Sequence, residues 1–148
     1  MSNAQKYAVM AMVIWSLIFI GLLLIVLLPG VSEFANPERS FWRLLTASII
    51  LPGFVLNAWL GWRSKRGRKS GELDERDDAV SLRASQATLM VIAPIVFLTA
   101  ILLYELYSSS GMVPTGWLYL LAYGTVTLVS LVHSIASLVV DLRGEAHG

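Results

Sequence analysis

The sequence predicts an all-α polytopic membrane protein, a single domain of four transmembrane helices in a bundle with both termini cytoplasmic. Three observations predict it. Of the 148 residues, 56% are hydrophobic and only 14% charged, with a mean hydropathy of +0.68; a soluble domain is about a quarter charged. Four apolar runs each reach the roughly 20 residues that a helix needs to cross about 30 Å of hydrocarbon. The runs are continuous, whereas a transmembrane barrel alternates apolar and polar residues along each strand.

The first span is expected at about 7–28, "YAVMAMVIWSLIFIGLLLIVLL". It is longer than the apolar core of a signal peptide, its flank holds only Lys6, and Glu33 stands where a cleavage site needs a small residue, so it reads as a retained anchor. The second span is expected at about 41–62 and contains Pro52-Gly53, the third at about 87–107 with Pro94 inside it, and the fourth at about 117–140. The flanks of the two prolines, "LPGFV" and "APIVF", are too short a match to establish the inverted repeat of a transporter with broken helices. Ser16, Thr46, Ser48, Asn57, Thr88 and Thr99 are scattered uncharged polar residues of the first three spans, and Glu105 stands near the outer end of the third.

Orientation follows from lysine and arginine in the short loops. The segment 63–86 carries Arg63, Lys65, Arg66, Arg68, Lys69, Arg76 and Arg83, while "SSSGMVPTG" between the third and fourth spans carries neither residue type. The charged segment and both termini are therefore expected on the cytoplasmic side of a plasma membrane crossed several times. The aromatics agree, with Phe41, Trp42 and Trp117 at the outer boundary and Trp59 and Trp62 at the inner one.

The charged segment has a basic and an acidic half. Arg63, Lys65, Arg66, Arg68 and Lys69 are placed to hold anionic lipid headgroups. Glu72, Asp74, Glu75, Asp77 and Asp78 follow, with Arg76 among them. From Glu72 to Gln86 there is neither glycine nor proline, acids in a first turn suit the helix dipole, and Glu72 and Arg76 have the favourable i,i+4 order. The third helix is thus expected to begin before the bilayer and run for about 35 residues at 1.5 Å each. Three readings of this acidic start stay open: a helix cap, a surface by which Glu72, Asp74, Glu75, Arg76, Asp77, Asp78 and Arg83 dock a cytoplasmic protein, or a divalent-cation site from Asp74, Asp77 and Asp78. Oxygen ligands suit Mg²⁺ or Ca²⁺, but the glycine and terminal glutamate of a calcium loop are missing.

Asp74-Glu75-Arg76-Asp77, followed by Ala84-Ser85 and a membrane span, resembles an element of a family of predicted membrane proteins of bacteria and archaea. In that family a D-E-R-D stretch precedes alanine, serine and then a membrane helix. The resemblance covers about a tenth of the chain. It implies a prokaryotic membrane protein and carries no chemistry with it.

The fourth span has a polar seam. Tyr123, Thr127, Ser130, Ser134, Ser137 and Asp141 follow one another at spacings of 4, 3, 4, 3 and 4, which puts all of them on one helix face. Small and hydroxylated residues allow close helix approach and hydrogen bonds between helices. Packing within the bundle, packing on another subunit and a polar path for a solute are all compatible with this pattern. His133 flanks the seam as the one histidine inside a span, where an ionisable group is costly. It is open to a structural role, a proton relay, or haem ligation with His147 or a partner's histidine as second ligand.

No cysteine is present, which excludes disulfide and thiolate chemistry. A net charge of +1 argues against nucleic-acid binding, and no cofactor is expected. The sequence favours a non-catalytic accessory, assembly or regulatory subunit, working through helix–helix and cytoplasmic contacts in a homo- or hetero-oligomer. The alternative is a small oligomeric transporter or channel, although the first span lacks the embedded acid on which four-helix drug exporters rely. An embedded enzyme with an acidic metal site comes third.

Overall fold

A computed structural model describes residues 3–36, 38, 40–66 and 75–143, with the side chains of 3, 4, 61, 63–66 and 75–78 left out. Among the described residues five helices follow one another: α1 (Asn3–Leu27), α2 (Val31–Phe34), α3 (Phe41–Arg66), α4 (Glu75–Tyr107) and α5 (Thr115–Leu142). There is no strand among the described residues. The helices α1, α3, α4 and α5 are long and apolar enough to span a membrane, as the sequence predicts.

The helices run furthest past the expected apolar spans where charge is dense. Residues 63–66 of the expected loop complete α3, and residues 75–86 open α4, which runs for 33 residues. An apolar run marks the part of a helix that lipid covers, while the helix itself continues into acids that favour its first turns.

The four spans stand in an open row, α3–α1–α5–α4. The interface of α1 with α5 is the most extensive, α4 packs on α5, and α3 packs on α1. The central place of α1 follows from its composition, because a helix that is apolar on every side can have neighbours on two of them. Trp15, Ile18, Leu22, Ile25 and Val26 of α1 form the core with Phe34 of α2 and Ile50 of α3. Tyr119, Leu120, Tyr123 and Leu131 of α5 close over it.

Between the first two spans lies α2, a single turn of helix. Its entry is Gly30, whose φ of 90° is a backbone region costly for any residue with a side chain. From there Phe34 turns fully inward and meets Tyr119 edge-on, with ring centroids 5.7 Å apart. Tyr119 in turn stacks on Tyr123 at 6.0 Å. The backbone of α2 also comes against α5, where a Cβ on Gly116 would collide with the carbonyl oxygen of Val31. Gly116 is therefore what lets α2 cover the end of the α1–α5 interface.

The turn from α4 to α5 closes similarly. Gly111, at φ 67°, donates its N–H to the carbonyl of Tyr107 at 3.1 Å and ends α4.

Candidate functional site

The polar seam of α5 lies where α5 meets its neighbours. Thr127 is fully buried and Ser134 nearly so, while Tyr123, Ser130, His133, Ser137 and Asp141 are half-buried. The seam is thus one continuous surface, as the heptad spacing requires.

Its hydroxyls do not reach across to other helices. The Thr127 hydroxyl donates to the carbonyls of Tyr123 and Gly124, both at 3.0 Å. Ser130 donates to Val126 at 3.1 Å, and Ser134 donates to Ser130 at 2.8 Å. The same holds for Thr46 on α3, which donates to Trp42 at 3.0 Å, and for Thr88 on α4, which donates to Ala84 at 2.7 Å. Every buried hydroxyl among the described residues is thus satisfied by a carbonyl of its own helix. What the seam contributes is small size: with the hydroxyl folded back, the neighbouring backbone can come close.

The α4–α5 pair has a definite register. At its closed end the indole Nε1 of Trp117 donates to the hydroxyl oxygen of Tyr107 at 2.8 Å. The two helices are antiparallel neighbours with the same rise per residue, so equal steps away from this bond arrive at the same depth. By that count Leu103 matches Leu121, Thr99 matches Thr125 and Val96 matches Leu128, and all six line one cavity. Further along, Ala84 matches Val140, and both are buried. One residue beyond, Arg83 and Asp141 share a level at the charged end of the pair.

The charged residues divide by what the structure describes. Glu75, Arg76, Asp77 and Asp78 form the first turn of α4, with side chains outside the described set, and Arg83 is exposed five residues before the buried Thr88. Glu72, Asp74, Arg68, Lys69 and His147 lie outside the described residues. Arg63, Lys65 and Arg66 belong to the last turn of α3, again with undescribed side chains. Among the described residues no group of three or more His, Asp or Glu side chains is placed to hold a metal ion.

Two features escape sequence reasoning. One is the Tyr107–Trp117 bond, although two interfacial aromatics flanking a short loop are a signal that could have found it. The other is Trp15 of α1, which is fully buried against Gly53 and Phe54 of α3 and whose indole N–H has no acceptor. Nothing in the apolar run around it marks that position.

Neither a curated protein nor a solved structure matches the chain. The profile of a family described as "Predicted membrane protein (DUF2178)" does match, over residues 11–140. That stretch runs from the first turns of α1 almost to the end of α5, taking in all four spans and the acidic start of α4. With nearly its whole length matched, the chain belongs to this family of membrane proteins.

Proposed function

We propose that the protein is a non-catalytic accessory, assembly or regulatory subunit of a prokaryotic cytoplasmic membrane, with both termini and the charged segment facing the cytoplasm. One observation carries this reading. Residues 54–59 of α3 are all exposed in succession, on every side of the helix, ahead of the buried Leu60. Asn57 is among them and lies within the span Phe41–Leu60. A carboxamide facing hydrocarbon has donors and an acceptor that lipid cannot satisfy, and such side chains are a recurrent means of holding membrane helices together. A partner helix along this part of α3 would supply both the missing packing and the missing hydrogen bonds.

The charged segment continues from the same end of α3. Arg63, Lys65, Arg66, Arg68 and Lys69 would rest on anionic headgroups, and Glu72, Asp74, Glu75, Arg76, Asp77, Asp78 and Arg83 would present the surface that a cytoplasmic partner reads. The seam of α5 is a packing surface in this account, since its buried hydroxyls are already turned onto their own backbone.

Native mass spectrometry of the chain, extracted gently from its own host membrane, tests the proposal. A hetero-complex of fixed stoichiometry that weakens on Asp77→Lys and Asp78→Lys, with helix content unchanged, is the expected result. A homo-oligomer that retains a solute or metal would overturn it in favour of transport or catalysis.

A further inference from the structure

A cavity of about 140 Å³ lies between α1, α4 and α5. Phe19 and Leu23 of α1 form one wall, Val96 and Leu103 of α4 the other, and Gly124 of α5 lies in the floor. Trp117 lines the end at which its indole is bonded to Tyr107. The two threonines of the lining do not make it polar: the Thr99 hydroxyl donates to Ile95 and the Thr125 hydroxyl to Leu121, each on its own helix.

The shape has a simple origin. α1 and α4 both pack on α5 but form no substantial interface with each other, which leaves a wedge between them with α5 at its base. Gly124 deepens that wedge. It is buried, yet a Cβ added there would meet nothing within 4 Å. The open side passes Ile95, which is exposed, and continues onto the exposed Leu98 and Leu102 of α4. The cavity is therefore continuous with the surface that faces lipid, and its lining belongs to the spanning parts of all three helices.

We propose that this cavity is a binding site for one acyl chain of a bilayer lipid. The chemistry selects that occupant. Apolar cavities of roughly this size stay dry and take up hydrocarbon, and an unfilled one costs stability in proportion to its volume. A polar ligand would lose its hydrogen bonds to water on entry and find lining hydroxyls already committed to carbonyls. The mouth opens where lipid tails are the surrounding medium.

The test uses the full-length protein reconstituted in phosphatidylcholine vesicles, extracted into mild detergent and examined by native mass spectrometry. Wild type is expected to keep one phosphatidylcholine per chain. Gly124→Phe fills the floor and should lose the lipid-bound species. Val96→Phe fills the same space from α4 and should do likewise, so the outcome does not depend on one variant folding. Gly21→Phe is the control, because Gly21 also has open space around it but does not line the cavity; it should retain lipid as wild type does. If both filling variants keep the lipid, it sits elsewhere on the surface and the proposal fails. It fails equally if wild type keeps none, or if Gly21→Phe loses as much as the filling variants.

Discussion

Trp117, in the first turn of α5, donates its indole N–H to the hydroxyl oxygen of Tyr107, the last residue of α4, at 2.8 Å. The bond fixes where two antiparallel helices begin to run alongside each other, and with it the depth of every pair behind it. Hydrogen bonds between membrane helices contribute about 0.6 kcal/mol on average and up to about 1.7. Tyr107→Phe is expected to destabilise by an amount in that range. In a Trp117→Phe background the same change should have almost no effect, and a double-mutant cycle on the denaturation midpoint measures the difference.

Three glycines should respond to alanine in a fixed order. At Gly116 the new methyl meets the carbonyl oxygen and Cγ1 of Val31, and backbone has little room to yield; overpacking of this kind costs about 1–3 kcal/mol. At Gly53 the obstacle is Cδ1 of Ile18, the far end of a flexible side chain, so the loss should be smaller. Gly21 meets nothing, and alanine there should stabilise α1 by about 0.5–1 kcal/mol through helix propensity. Midpoints in any other order would contradict the packing described for α1, α2, α3 and α5.

Trp15 separates packing from polarity. Its indole fills the α1–α3 contact while its N–H lacks an acceptor. Trp15→Phe removes the unsatisfied donor along with part of the volume, and the two effects oppose each other. A cost below about 1.5 kcal/mol is expected, against roughly 3–5 kcal/mol for Trp15→Ala. Equal losses in thermal unfolding would mean that the N–H matters more than the ring.

The seam predicts tolerance of shape-preserving change. Thr127→Val keeps the branched outline and deletes only a hydroxyl bonded within α5, so stability should fall by no more than about 1 kcal/mol. Thr127→Leu adds bulk at a fully buried position and should cost about 1–3 kcal/mol. Were the hydroxyl needed for something outside its own helix, Val would be the more damaging of the two.

Orientation can be read chemically because the chain has no cysteine. Ser109→Cys places a thiol in the exposed turn between α4 and α5, and Ser70→Cys places one in the charged segment. With whole cells and a membrane-impermeant maleimide, only the first should be labelled.

The spans were legible because hydrocarbon thickness imposes run length directly, and the long α4 because acids without glycine or proline precede its apolar part. The α5 seam was legible as a face, since spacing alone decides which residues share one. Spacing does not say where a hydroxyl donates, and the self-directed bonds of Thr127 and Ser134 needed coordinates. The row α3–α1–α5–α4 was not legible either. α1 is apolar on all sides, so it has no stripe to name its neighbours. Helix α2 is a single turn whose inward Phe34 has no periodic context. The cavity is further still from the pattern, because it arises at Gly124 from the absence of a side chain between two helices that never pair.

The order of the row has a consequence for how the protein is made. Its two central members, α1 and α5, are the first and last of the four described spans in chain order, with their interface the most extensive in the fold. The N-terminal pair α1–α3 can meet as soon as α3 emerges, but α4 has no neighbour to pack on until α5 follows. Contacts between segments far apart in sequence are slow to form, so the α1–α5 spine is completed only after α5 has emerged. A chain truncated before Thr115 would hold three spans and lack the one on which two of them depend.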